Sequence, residues 1–249
     1  MTVYLVGTGP GAADLLTVRA AKLLGAAEHV VYDRPSMAEI VALAPAAAHK
    51  HIVGKSRGRP ALSQDEVNAF LVELGRSGES VVRLKAGDPF VVSRGSEESL
   101  ALAAAGIPFE VVPGISAAVA APAYAGVPVM VRQLARTLTV VAANDDPAYP
   151  GPVDWRAVAA VGGTIVLLTG RAALREIVAE LLAGGLPPDT PITAVSAATR
   201  DRQRTVRGTL ADPPDARLPA PLTVVIGTVA GLDLAWHTES LGRTTREHS

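Results

Sequence analysis

The chain has 249 residues, 49% hydrophobic and 19% charged, and its 23 Lys and Arg against 24 Asp and Glu give a formal net charge of −1. Neither disorder nor bulk electrostatic binding of nucleic acid fits that balance, and the length allows one large domain or two modest ones with a real core. With no cysteine, disulfides, thiolate metal sites and a cysteine nucleophile are excluded, and the N-terminus shows no signal-peptide pattern, which points to the cytoplasm.

In the first half strand-like and helix-like runs alternate. VYLVG, residues 3–7, reads as a strand, 13–24 as a helix, HVVYD at 29–33 as a second strand, 37–43 as a helix and HKHIVG at 49–54 as a third strand. Ser63 followed by Glu66 is a capping-box signature, and Val67, Phe70, Leu71 and Leu74 continue at helical spacing, predicting an amphipathic helix over 63–76 that ends near Gly78. SVVRLKAGDPF, residues 80–90, reads as a strand running into a turn. The uncharged run from Val111 to Val131 is long enough to span a bilayer, but Pro113, Pro122, Pro128, Gly114 and Gly126 break it, so it reads as a buried strand, turn and helix.

The pattern restarts with LTVVAAN at 138–144 after a shift at Arg132–Arg136, which divides the chain into domains 1–134 and 135–241 with a polar tail, 242–249. A loop rich in Pro, Asp and Gly follows, then a strand TIVLLTG, a helix over 172–183, a strand PITAVSA, and two closely spaced runs, RQRTVRGTL and PLTVVIGTV. The fold class is α/β, with a mostly parallel first sheet and a mixed second one.

The first glycine turn poses the functional question. Gly7, Gly9 and Ala12 occupy the positions of a dinucleotide fingerprint, and Asp33 follows about 20 residues on, as in a Rossmann unit. That keeps open an NAD- or FAD-binding oxidoreductase. Against it, Pro10 removes a backbone donor from the middle of the turn, which suits a ligand without phosphate at least as well. His49 and His51 read as strand residues rather than metal ligands.

Five stretches in register, LVGTGPG, VVYDR, VGKSRGR, VVRLKAGDPFVVSRGSEE and FEVVPGISAAVAAPAYAGVP, closely resemble the uroporphyrinogen-III C-methyltransferases of the tetrapyrrole methylase family. Weaker likeness continues through TIVLLTG, RQRTVRGTL and PLTVVIG. The resemblance implies two α/β domains with S-adenosylmethionine in the cleft between them, a homodimer, no metal, and methylation of uroporphyrinogen III to precorrin-2 by way of precorrin-1. It implies Asp33 as proton acceptor and Lys55 as proton donor; Pro10, Ala86, Gly87, Asp88, Val91, Ser116, Ala117, Thr169 and Ala198 at the co-substrate; and Arg34, Arg57, Arg132 and Met130 at the tetrapyrrole. No nucleic acid or membrane partner is implied.

Ordinary structural roles stand beside these. Asp88 can cap its own turn, Ser116 can cap a helix, Asp33 can pair with Arg34 and Lys55 can be a solvated loop residue. A substrate with eight carboxylates demands a basic rim, for which Lys50, Lys55, Arg57, Arg59, Arg83, Lys85, Arg94 and Arg132 are candidates. Val129, Met130, Val131, Ala142, Ala143, Asn144, Leu168, Thr169, Ser196, Ala197 and Ala198 depart from the family's usual residues. Those departures keep open a paralogue that methylates another precorrin or a non-tetrapyrrole, and a non-catalytic cofactor-binding module.

Overall fold

The computed structural model describes residues 2–56, 58, 60–143, 151–215, 217–234 and 236. Two compact units, Met1–Ser116 and Ala117–Ser249, divide the chain ahead of the composition shift at 132–136.

In the first unit β1 (Val3–Gly7), β2 (His29–Tyr32), β3 (His49–Ile52), β4 (Val81–Lys85) and β5 (Phe109–Val112) form a parallel sheet in the order β3-β2-β4-β1-β5. The helices α1 (Val18–Leu24), α2 (Ala38–Val41), α3 (Gln64–Arg76) and α4 (Gly95–Ala104) cover it. Because strand side chains alternate, each helix has an assigned face. Val6, Val30, Val82 and Leu84 pack with Leu24 of α1 and Ile40 of α2. On the other face Val3, Leu5, Val31 and Val81 pack with Leu71 of α3 and Leu102 of α4. The chain therefore leaves neighbouring strands β2 and β4 toward opposite faces, and open α/β sheets bind ligands beyond the carboxyl ends of such a pair.

Helix α3 carries the expected capping box: the Ser63 hydroxyl accepts from the Glu66 N–H at 3.3 Å, and the Glu66 carboxylate accepts from the Ser63 N–H at 2.7 Å. The run 13–24 divides instead of forming one helix. Ala13–Leu15 is a single tight turn, Leu16 is extended, and Thr17 caps α1 by accepting from the Ala20 N–H at 3.1 Å. Helix α4 has no counterpart among the sequence expectations, since it opens on Arg94 and Gly95 without a side-chain cap and its apolar residues are mostly small.

In the second unit α5 (Ala117–Tyr124) packs against β7 (Thr164–Leu168) and β10 (Leu222–Ile226). The sheet runs β6-β7-β10-β8-β9, with β6 (Leu138–Ala142), β8 (Pro191–Ser196) and β9 (Arg204–Thr209). Only β6 and β7 pair in parallel, so the sheet is mixed, as its closely spaced late strands predict. Helices α6 (Trp155–Val161) and α7 (Leu174–Ala183) enclose a core of Ile165, Leu167, Leu181, Ile192 and Val224. Among the described residues no helix is long and apolar enough to cross a membrane. The run 111–131 resolves into the end of β5, a turn and α5.

At the amino ends of β2 and β3 three histidines stack. His29 lies 5.1 Å from His49 and 5.3 Å from His51 between ring centroids, and its Nδ1 is 3.0 Å from His51 Nε2, while its Nε2 meets the Glu79 carboxylate. HKH is part of β3, as the sequence predicts. Burial pushes the His51 pKa down, helped by His29 and His49. Below the ordinary histidine value of 6.5 the unfolded chain therefore binds more protons than the folded one at this position. His51 thus contributes stability above that pH and loses it as the pH falls. The thermal unfolding midpoint should drop between about pH 7.5 and 5.5, and the drop should be smaller in His51→Gln.

Candidate active site

The loops at the carboxyl ends of β1, β4 and β5 are drawn together by their backbones. Thr8 N–H donates to the Lys85 carbonyl at 2.8 Å, Gly9 N–H donates to the Gly87 carbonyl at 3.1 Å, and Gly87 N–H donates back to the Gly9 carbonyl at 2.8 Å. A Cβ on Gly7 would stand 2.5 Å from Gly114 N and 2.7 Å from Gly87 O, so the three loop tips touch only because they carry glycine. Gly87 also needs its φ of +68° to turn the chain. Asp88 locks the assembly: one carboxylate oxygen accepts from the Phe90 N–H at 2.8 Å and the other from the Gly114 N–H at 3.0 Å. Both oxygens of Asp88 thus serve its own turn and the neighbouring loop.

The same bonds weigh against a dinucleotide site. A phosphate cradle needs free N–H groups at the glycine turn, but those of Thr8 and Gly9 are already donated to carbonyls and Pro10 has none. The tight turn at Ala13–Leu15, with α1 beginning only at Val18, supplies no long helix aimed at an anion.

Asp33 follows β2 at the point where the connections diverge. Its ion partner is Arg83 of β4, whose Nη2 donates to Asp33 Oδ1 at 2.6 Å, and not the adjacent Arg34 suggested by the sequence. Arg83, Lys85 and Asp33 share the face of the sheet covered by α4, and α4 brings Glu98 onto them. Glu98 Oε1 accepts from Arg83 Nη2 at 2.8 Å and from Lys85 Nζ at 2.7 Å. Arg83 is 1% exposed, Lys85 4% and Glu98 0%, while the Asp33 side chain is 33% exposed. The four formal charges cancel, and Asp33 is the one member open to a ligand. Burial pulls the Arg83 pKa down, but Glu98 and Asp33 together outweigh it and hold it above its ordinary value. Burial, followed by the Arg83 charge, depresses Lys85 despite its two carboxylate neighbours.

This geometry corrects one expectation. Arg83 and Lys85 do not belong to a basic rim, because both are buried and spend their charge within the protein. Glu98 is the residue that sequence reasoning missed. Its signal lay in the spacing of Arg83 and Lys85, two cations on one face of a strand otherwise made of core residues, which require an anion from the covering helix.

Lys55 is exposed and follows Gly54, whose backbone lies so close to Asp33 that a Cβ there would overlap the Asp33 carbonyl. Arg34 is exposed next to Asp33, Ala86 and Val91 are exposed at the β4 tip, and Pro10 and Ser116 are half-buried. Arg57 and Arg59 lie outside the described residues. Within this unit the strand ends bring Asp33 and Gly54–Lys55, and Gly7–Pro10, Ala86–Asp88 and Gly114–Ser116, to one edge of the sheet.

The second unit has its own edge. The carboxyl ends of β7 and β8 flank the start of β10 through the pairs Thr223 with Leu168 and Leu222 with Ser196. There Thr169, Ala197 and Thr199 adopt φ values of +64°, +48° and +67°, a conformation rare for side chains of this kind. Thr199 is held by its N–H donating to Gln203 Oε1 at 2.8 Å, and Ala197 by its N–H donating to the Pro221 carbonyl at 2.9 Å. Thr169 is exposed and Ala198 buried, with Ala117 half-buried at the start of α5; Met130 and Arg132 are exposed. Asn144 lies outside the described residues. Among the described residues no group of three His, Asp or Glu is arranged to hold a metal ion.

Residues 2–214 match the tetrapyrrole (corrin/porphyrin) methylases. An S-adenosyl-L-methionine-dependent uroporphyrinogen III methyltransferase of Methanosarcina barkeri is 43% identical over 235 residues, covering 92% of each chain. The siroheme synthase of Methylococcus capsulatus is also 43% identical, over 95% of this chain but 51% of its own, so the present chain spans about half of that protein. The structure resembles a uroporphyrin-III C-methyltransferase from Thermus thermophilus complexed with S-adenosylhomocysteine, with a TM-score of 0.79, 35% identity and 92% and 98% coverage of the two chains. A cobalt precorrin-4 methyltransferase gives a TM-score of 0.82 at 26% identity, with 92% and 95% coverage.

Removing Glu98 leaves two buried cations facing one carboxylate. Glu98→Ala should cost about 3–5 kcal/mol of unfolding free energy in urea titration. A loss below about 1 kcal/mol would show that water or relaxation replaces the missing charge.

Proposed function

The chain belongs to the tetrapyrrole (corrin/porphyrin) methylase family, and on that footing we propose that it is an S-adenosylmethionine-dependent C-methyltransferase that converts uroporphyrinogen III to precorrin-2 by way of precorrin-1. The observation that carries this reading is the edge of the first sheet, where a partly open carboxylate, Asp33, stands among backbone loops stripped of side chains, in a chain 43% identical to a uroporphyrinogen III methyltransferase over nearly its whole length. The residues fit the co-substrate. Ala86, Gly87 and Gly114 carry nothing larger than a methyl, so a ligand can lie against the main chain, and the spent donors of the first turn matter little to a molecule without phosphate.

When bound, S-adenosylmethionine supplies an electrophilic methyl group on a sulfonium and leaves as a neutral thioether. Pro10, Ala86, Gly87, Val91 and Ser116 would hold it, with Asp88 acting through the loops it locks. Each methyl joined to a ring carbon requires the net loss of one proton from the macrocycle. Asp33 accepts that proton, and Lys55, which follows the Gly54 packed against the Asp33 backbone, donates a proton to shift the ring between tautomers. Arg34, Arg57 and Arg132 would meet the substrate carboxylates, and Met130, 53% exposed, would offer apolar surface to the macrocycle. A cytoplasmic homodimer completes the reading, supported by the likeness to the family.

With uroporphyrinogen III generated in situ, mass spectrometry should find S-adenosylhomocysteine together with a tetrapyrrole that has gained two methyl masses. Asp33→Asn should lower kcat by about 10²–10⁴. Binding of S-adenosylmethionine without methylation of uroporphyrinogen III would favour a paralogue acting on another precorrin or a non-tetrapyrrole, or a non-catalytic cofactor-binding module, readings that the altered residues Met130, Val131 and Thr169 would then explain.

A further inference from the structure

The buried charges on β4 and α4 do more than stabilise the sheet. Resting on the reading of Asp33 as proton acceptor, we propose that Arg83 is a positioning residue that fixes the Asp33 carboxylate for proton transfer, with Glu98 and Lys85 holding Arg83 in turn.

Every nitrogen of the Arg83 guanidinium is engaged. Nη2 bridges Asp33 Oδ1 at 2.6 Å and Glu98 Oε1 at 2.8 Å, Nε faces the two Glu98 oxygens at 3.2 and 3.3 Å, and Nη1 points to the Leu84 carbonyl at 3.4 Å. Held at so many points, the group cannot swivel, and at 1% exposure it cannot reach a substrate. Asp33, by contrast, stands just beyond a strand end and is one-third open. The bond to Oδ1 restrains the carboxylate at a single oxygen and leaves the other for a ligand. Glu98 is anchored by Lys85 Nζ at 2.7 Å and faces Gln64 Nε2 at 3.5 Å, so the orientation of Asp33 traces back to two helices. A network of purely structural purpose would close on itself inside the core, whereas this one ends at a solvent-accessible carboxylate on the ligand-binding edge of the sheet.

If Arg83 acts through Asp33, its loss must matter only while Asp33 is present. The test compares wild type, Arg83→Lys, Asp33→Asn and the double variant, with S-adenosylhomocysteine release, tetrapyrrole KM, calorimetric affinity for S-adenosylhomocysteine and the unfolding midpoint measured for each. Arg83→Lys keeps the charge but cannot span both carboxylates, and kcat should fall about 10–100-fold while KM and the calorimetric Kd stay within about twofold. In the Asp33→Asn background the same substitution should cost less than about twofold. Equal losses in both backgrounds would overturn the positioning role while leaving Asp33 as the base. Undiminished turnover in Asp33→Asn would instead overturn the reading of Asp33, and the positioning role with it. Should Arg83→Lys fail to fold, Arg83→Gln with Glu98→Gln removes one charge of each sign, leaving Lys85 and Asp33 balanced. That pair should show the same fall in kcat at preserved affinity, and full activity in it would refute the proposal.

Discussion

Two cations buried in one strand set the terms for the first unit. Arg83 and Lys85 alternate with Val82 and Leu84 along β4, so the pleat sends both charged side chains to the same face, beneath α4. An ionised group in such a place is tolerable only when paired and hydrogen-bonded, and Glu98 meets both at once. One carboxylate cannot neutralise two cations. Asp33 supplies the fourth charge from β2, and because β2 ends there, that charge falls at the rim of the sheet. A requirement of the core thus delivers a carboxylate to the edge where the chain connections part.

The loop tips obey a second constraint, close packing of main chain. Gly7, Gly87 and Gly114 let three loops touch, and the hydrogen bonds among them use up donors that an anion-binding turn would keep free. A glycine pattern that reads as a phosphate cradle is here a device for joining strands, and Asp88 secures it by accepting from two backbone N–H groups. The resulting surface has little side-chain cover around Ala86 and Gly87, which suits a ligand recognised through the backbone.

The second unit reaches its strained positions by another route. Thr169, Ala197 and Thr199 sit beyond the ends of β7 and β8 with backbone in the left-handed region, and hydrogen bonds to Gln203 and Pro221 hold Thr199 and Ala197 there. Thr199 and Gln203 are separated by only four residues, so the local sequence builds its own restraint. Neither residue announces this, because threonine and glutamine are common in loops and the conformation is visible only in φ.

Much was legible before folding was considered. Alternation of β-branched runs with capped, periodic helices defined the α/β class, the closely spaced late strands defined a mixed second sheet, and Ser63 with Glu66 fixed the start of α3, because each of these signals is local in the chain. Five motifs in register pointed to the family for the same reason. What tertiary structure alone decided was partnership. Asp33 pairs with a residue 50 positions away rather than with its neighbour Arg34, and Arg83 and Lys85 belong to the core rather than to a rim. Glu98 becomes their counter-ion because a helix without a side-chain cap or a strong apolar stripe packs over β4. Sequence fixes charge and period; which charges meet depends on strand order and on the face each helix covers, and those are settled by the global packing of apolar surface.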